Sequence, residues 1–197
     1  AVVGYGTATE FYTEGPTVED FVLYTGRPHV SKGVHTILRI ARLMPDQQFV
    51  LAWRADDPDH VKHEEVYLEA AKAIPNVRIV QLPLEGHHEA KRDLYQRAKA
   101  VLQPVAYLEA FGLVTIEALA CGTPVILPDK GSAPEIIQQG VTGFLCESLE
   151  DYQRAIRDAG SLSRKACRED AVARFDKRVM TERYLALYER VLRGEQW

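Results

Sequence analysis

The sequence predicts an α/β protein, a doubly wound parallel sheet of about six strands with helices on both faces. Three observations predict it. Short apolar runs alternate with helical stretches at the pitch of βαβ units. Turn residues close each segment: Pro28, Pro75-Asn76, Cys121-Gly122 and Pro128. The chain has 197 residues, 46% of them hydrophobic, enough for one substantial core.

The elements follow in order. Residues 1–20 carry Gly4, Gly6, Gly15 and Pro16 with little periodicity, and read as an interdomain linker. Gly4 to Thr9 outline G-x-G-x-x-T. Thr13, Gly15 and Pro16 oppose the helix that a dinucleotide site needs directly afterwards. Phe21 to Thr25 is the first strand. Gly26 to Gly33 is a loop, and Val34, Ile37, Leu38 and Ala41 repeat at helical spacing. Gln48 to Trp53 is the second strand and Ala55 to Asp59 a turn. A helix over roughly 61–74 ends at Pro75-Asn76. Val77 to Leu82 is the third strand, Ala90 to Ala98 a helix with Leu94 inward, and Val101-Leu102 a fourth strand stopped at Pro104.

The stretch from Glu109 to Glu135 organises the rest. Ala110-Phe-Gly-Leu113 enters a helix that Cys121-Gly122 closes. Pro124 to Pro128 is a short buried strand, and Lys130 to Pro134 turns into a second helix at Glu135. Two helix N-termini therefore flank one strand. Each offers unpaired backbone N–H groups and partial positive charge, a place to hold an anion. Glu109 and Glu117, spaced E-x7-E, stand by to take hydroxyls. Gly143 to Cys146 is a sixth strand. The remainder is helical, broken near Phe175-Asp176, where Asp176 caps a last helix to Leu192. Residues 21–175 thus form the domain, and 176–197 a C-terminal helix and tail.

Charge narrows the partners. The net charge of −4 argues against nucleic acid. Between Asp20 and Asp46 there is no acidic residue, while Arg27, Lys32, Arg39 and Arg42 stand there. Arg39 and Arg42 read as a solvated helix face. Arg27 and Lys32 lie in the Gly-bounded loop. Cys121, Cys146 and Cys167 are odd in number and widely spaced, and read as buried thiols of a cytoplasmic protein. No apolar run is long enough to span a membrane.

Right-handed crossovers and the strand order 3-2-1-4-5-6 make strands one and four neighbours at the switch point. Ligands bind beyond the carboxyl ends of such strands. The basic loop after strand one and the Glu109 loop after strand four therefore face one crevice.

With these residues in view, the chain resembles the C-terminal, donor-binding half of a GT-B glycosyltransferase of the retaining family 4 kind, a Rossmann-like domain. The resemblance rests on Gly26-Arg27 with Lys32-Gly33, on Glu109-Ala-Phe-Gly-Leu with Glu117-Ala-Leu-Ala-Cys-Gly-Thr-Pro-Val-Ile, on Gly131-Ser-Ala-Pro-Glu135 and on Gly140-Val-Thr-Gly-Phe-Leu145. The tail Tyr184-Leu-Ala-Leu-Tyr188 is similar to the family's last helix. The resemblance implies a nucleoside-diphosphate sugar as donor substrate, with no cofactor and no metal. Arg27 and Lys32 would neutralise the diphosphate, Glu109 would hold the sugar's hydroxyls, and Glu117 the ribose. Those first three are the residues it makes catalytic. Backbone at Phe111, Gly112 and Leu113, beside Gly26, would meet the sugar or the distal phosphate. Fixed cations and a helix N-terminus suit a leaving group that gains negative charge. Retention in this family is explained by front-face attack, so no carboxylate here is a nucleophile, and the two-carboxylate logic of hydrolases does not transfer.

The resemblance places Trp53 and Leu82 near the base. The family's usual glycine is missing at both places, which leaves base and donor open. It also implies an acceptor-binding N-terminal domain, in the same parent chain or in a separate subunit, and confines any membrane contact to that missing half. A chain that starts Ala-Val-Val-Gly without Met reads as a piece of something longer, inactive as an isolated half. The alternative is a non-catalytic nucleotide- or sugar-binding module, or one subunit of a split transferase. Other motifs carry less. Asp57-Pro-Asp59 reads as a solvated turn. His60 and His63 with Glu64 lack a further metal ligand. His87-His88 read as exposed or capping residues ahead of a helix.

Overall fold

The computed structural model describes residues 3–54 and 58–195, and side chains outside 54–64. Six strands form one parallel sheet in the order β3-β2-β1-β4-β5-β6. They are β1 (Phe21–Thr25), β2 (Gln48–Arg54), β3 (Val77–Leu82), β4 (Ala100–Leu102), β5 (Val125–Pro128) and β6 (Gly143–Cys146). The helices between them are α1 (Val34–Leu43), α2 (Pro58–Lys72), α3 (His87–Arg97), α4 (Leu113–Ala120) and α5 (Ala133–Ile136). α6 (Leu149–Asp158), α7 (Arg164–Phe175) and α8 (Lys177–Leu192) follow β6. The predicted strand order is the observed one.

Every residue of β1 is buried, because this central strand is covered on both faces. Alternation splits the core in two. Leu23, Val50, Val101 and Val125 meet Leu94, Tyr95, Ile116 and Leu119 of α3 and α4 on one face. Val22, Leu51, Leu102 and Ile126 meet Ile37, Leu38, Ala41 and Ile156 of α1 and α6 on the other. Arg39 and Arg42 point to solvent from the outer face of α1, as expected.

Three polar devices close the ends of elements. Asn76 is buried, and its amide donates to the carbonyls of Ala41, Met44 and Gln47 at 3.0, 2.9 and 2.8 Å, finishing α1. Arg164 on α7 donates to the carbonyls of Gln96 and Ala98 at the end of α3, each at 2.9 Å, and to Cys121 at 3.1 Å. Arg168, one turn on, donates to Ala120, Tyr12 and Thr9 carbonyls, so α7 satisfies the carbonyl ends of two other helices.

The first residues, read as a linker, pair with the start of the C-terminal helix. Thr7 forms a parallel bridge with Asp176, and its N–H donates to the Phe175 carbonyl at 2.8 Å. Asp176 caps α8 through the Arg178 N–H, as predicted, and also accepts from the Thr9 hydroxyl. α3 begins at His87, three residues earlier than the apolar spacing suggested, so both histidines lie in its first turn. α8 buries none of its residues and exposes Leu185, Tyr188 and Val191. Among the described residues no helix is long and apolar enough to cross a membrane.

Candidate donor site at the switch point

The two loops that topology aims at one crevice are stapled together. The β1–α1 loop holds a short 3-10 turn, Val30–Lys32, capped by His29. Gly33 follows at φ 76°, and a side chain there would fall 1.9 Å from the Pro104 carbonyl oxygen. Only glycine lets these loops approach so closely. The Ala106 N–H then donates to the Ser31 carbonyl at 2.8 Å, and the Gln103 amide donates to the Thr25 carbonyl at 2.8 Å. A third loop fixes the far side. Gly131, at φ 59°, sits where a side chain would be 2.8 Å from the Glu109 carbonyl. The Ser132 N–H donates to that carbonyl at 3.1 Å and the Ser132 hydroxyl to Phe111 O at 3.0 Å.

These loops enclose a cleft of about 460 Å³ at the carboxyl ends of β1, β4 and β5. Of the residues expected at the site, Gly26, Lys32, Glu109, Phe111, Gly112 and Leu113 line it. Lys32 Nζ lies 2.9 Å from Glu109 Oε2, a pair formed across 77 residues of sequence. The Tyr107 hydroxyl accepts from Lys32 and donates to Glu109. Burial pushes the Glu109 pKa up, but the hydrogen bonds from Tyr107 and Lys32 and the Lys32 charge outweigh it, so the carboxyl stays below its ordinary value. For Lys32 burial pulls down, and Tyr107 and Glu109 together raise its pKa above the usual lysine value. Gly112 is the N-cap of α4, and no side chain caps that helix end. Its first-turn N–H groups face a carboxylate-and-ammonium cleft with partial positive charge of their own.

The other three expected residues do not line the cleft. Arg27 is exposed on the same loop as Lys32, and its carbonyl accepts from the Tyr24 hydroxyl at 2.7 Å. Leu82 is buried at the end of β3. Glu117 is buried on α4, 2.8 Å from Lys91 Nζ, and accepts from the Tyr95 hydroxyl at 3.1 Å.

Sequence reasoning passed over several cleft residues. Lys130 and Ser132 follow β5, where the carboxyl-end rule already pointed. Lys130 has no ion-pair partner among the described residues. Gln103 is buried at the last position before Pro104. Tyr5, from the segment read as linker, sits edge-on to Phe111 at 5.4 Å between ring centroids and lines the cleft mouth. No residue pattern marked Tyr5.

Two of the sequence motifs set aside, the Asp57/Asp59 pair and the His60/His63/Glu64 group, lie outside the described residues or side chains. Among the described residues no group of three His, Cys, Asp or Glu is arranged to hold a metal. The three cysteines are buried and unbridged. Burial raises each thiol to about 12, which keeps it protonated and inert.

Residues 11–174 match the family described as glycosyl transferases group 1. The D-inositol 3-phosphate glycosyltransferase of Mycobacterium avium (strain 104) is 31% identical over 188 residues, covering 90% of this chain and 43% of that protein. The protein of the same name from Mycolicibacterium gilvum (strain PYR-GCK) is 34% identical over 134 residues. The chain therefore spans less than half the length of these curated relatives. Among solved structures, the sucrose-phosphate synthase of Thermosynechococcus elongatus superposes with a TM-score of 0.83 at 26% identity, over 99% of this chain and 53% of that one. Anabaena HepE, solved with UDP and glucose, superposes with a TM-score of 0.81 over 96% of this chain and 56% of its own. At 18% identity that likeness concerns the fold.

Proposed function

The chain belongs to the glycosyl transferases group 1 family, and we propose that it is the donor-binding half of a retaining, family 4-type enzyme that takes a nucleoside-diphosphate sugar. The observation that carries this is the Lys32–Glu109 pair, assembled from two loops beside the uncapped start of α4. Such a cleft offers cations and backbone donors to a diphosphate and a carboxylate to sugar hydroxyls. HepE, which shares the fold, has been solved with UDP-glucose.

In this reading Lys32, Lys130 and the α4 N-terminus hold the diphosphate. Arg27, exposed on the same loop, swings onto it. As the bond to the sugar breaks, these groups stabilise the charge growing on the leaving phosphate. Glu109 orients the sugar; ionised, it has no proton to give, and it does not attack because the acceptor hydroxyl approaches from the front face and passes its proton to the leaving phosphate. Glu117, which the resemblance gives to the ribose, stays in its buried pair with Lys91 outside the cleft lining and is not assigned to the ligand in this reading. The charge needed for binding comes from side chains, so no divalent metal is required. The chain spans 43% of its Mycobacterium avium relative; in this reading the acceptor is bound by a second domain, and the 197-residue chain alone transfers no sugar. Buried, reduced thiols suit a cytoplasmic setting.

Calorimetry with UDP, GDP and ADP and with UDP-glucose, GDP-mannose and ADP-glucose, with and without EDTA, tests this. One nucleoside should bind as diphosphate and as sugar conjugate, unaffected by EDTA. Absence of binding to all six would refute the donor-site assignment, and sustained sugar transfer by the isolated chain would refute its dependence on a second domain.

A further inference from the structure

Tyr107 lies in the β4–α4 loop and does not line the cleft, yet its hydroxyl touches two residues that do. The direction of both bonds is forced. An ammonium only donates and a carboxylate only accepts, so the hydroxyl accepts from Lys32 and commits its own proton to Glu109. Lys32 Nζ lies 4.7 Å from the ring centroid, and the hydroxyl oxygen is its contact. Lys32 and Tyr107 both end on Oε2 of Glu109, and Oε1 accepts from neither. Burial and the bond to Glu109 raise the tyrosine's pKa, so the proton stays on the phenol.

We propose that Tyr107 is a positioning residue that keeps Glu109 ionised and aimed once a diphosphate recruits Lys32. The inference rests on the donor-site reading above. A diphosphate carries more negative charge than one carboxylate and competes for the ammonium. If Lys32 were the only partner, its departure would leave a half-buried carboxylate without a side-chain donor, and that favours protonation. Tyr107 removes the conflict. It is neutral, so a phosphate draws it less than it draws lysine, and its donor proton already points at Oε2. The cleft can then give Lys32 to the phosphate and still present an ionised, fixed Glu109 to the sugar.

The test is Tyr107→Phe in the 197-residue chain, by calorimetry against the diphosphate and the sugar conjugate that the wild type binds. Diphosphate affinity should stay within about twofold, because Lys32 is retained. The affinity ratio of sugar conjugate to diphosphate should fall about three- to tenfold, the scale of a weakened hydrogen bond to a charged group. The acid limb of sugar-conjugate binding should move to higher pH, because Glu109 loses a donor that holds its pKa down. In a Glu109→Gln background the same substitution should leave the ratio unchanged, because the partner it acts through is gone. Equal losses for both ligands with an unmoved acid limb would make Tyr107 a packing residue and overturn the proposal. Wild type that binds diphosphate alongside a variant unchanged in ratio and acid limb would overturn it alone. Wild type that binds no diphosphate would overturn the donor-site reading as well.

Discussion

Replacing Lys91 with methionine should destabilise the fold more than a surface charge change does. The ammonium and the Glu117 carboxylate lie 2.8 Å apart, with 14% and 10% of their side chains exposed. Removing one partner of a buried pair strands the other charge, at a cost of about 3–5 kcal/mol. Two features lower that here. Some solvent reaches the pair, and the Tyr95 hydroxyl still donates to Glu117 at 3.1 Å. The expected loss is therefore about 2–3 kcal/mol. In a domain of this size it lowers the melting temperature by about 5–10 °C. Glu117→Gln should cost less, about 1 kcal/mol, because the Tyr95 contact survives and a stranded lysine can extend its head to water. The double variant Lys91→Met with Glu117→Leu should recover most of the loss, since apolar pairs replace buried ion pairs well. Urea unfolding followed by circular dichroism and by tryptophan fluorescence measures all three and checks two-state behaviour. A Lys91→Met loss below about 0.5 kcal/mol would show a solvent-screened pair of the surface kind and would refute the burial argument.

Lys32→Ala and Arg27→Ala should each reduce the preference for nucleoside diphosphate over monophosphate in calorimetry, and Arg27→Lys should restore part of it, since a point charge cannot clamp two oxygens. Asp176 has its pKa lowered from 3.8 to about 2, first by its hydrogen bond from Arg178 and then, against burial, by Thr9. A depressed carboxylate stabilises above its unfolded pKa and loses that contribution as pH falls through the folded one. Asp176→Asn should therefore cost about 1–2 kcal/mol at pH 7, discounted for the exposure of Arg178, with the difference from wild type closing between about pH 4 and pH 2 in denaturant titrations. Arg168→Ala leaves the Ala120, Tyr12 and Thr9 carbonyls without their donor and should lower stability by about 2–3 kcal/mol, read by thermal unfolding.

The sheet was legible because its strands are short, buried runs bounded by turn residues. β5, between Pro124 and Pro128, has no helical alternative, and the crossover rule then leaves few orders. Element starts were less legible. α3 opens at His87 because Gly86, at φ 69°, frees the chain to turn into it, whereas the apolar spacing begins only at Ala90. Residues 1–20 read as linker because their contacts are made by backbone and single side chains. The Thr7 bridge to Asp176, the Thr9 hydroxyl on its carboxylate and the Arg168 bonds to Thr9 and Tyr12 leave no periodicity in the sequence.

Site residues divide the same way. Lys32, Glu109 and Gly112 were legible because topology alone carries their loops to one switch point, and a backbone path is what strand order fixes. Topology does not say which carboxylate meets which cation. Glu109 and Glu117 belong to one spacing motif, yet the first faces the cleft with Lys32 and Tyr107 while the second turns under α3 to Lys91 and Tyr95. Seven residues of loop and helix lie between them, and the passage from the loop into α4 puts one carboxylate in the pocket wall and the other in a buried ion pair. Lys91 sits on a helix whose exposed face is crowded with charge, so nothing in the sequence sets it apart from its neighbours. Its role appears only once α3 and α4 pack. The same holds for Tyr107, whose value to the cleft lies in one hydroxyl placed between two charges that the chain brings together from 77 residues apart.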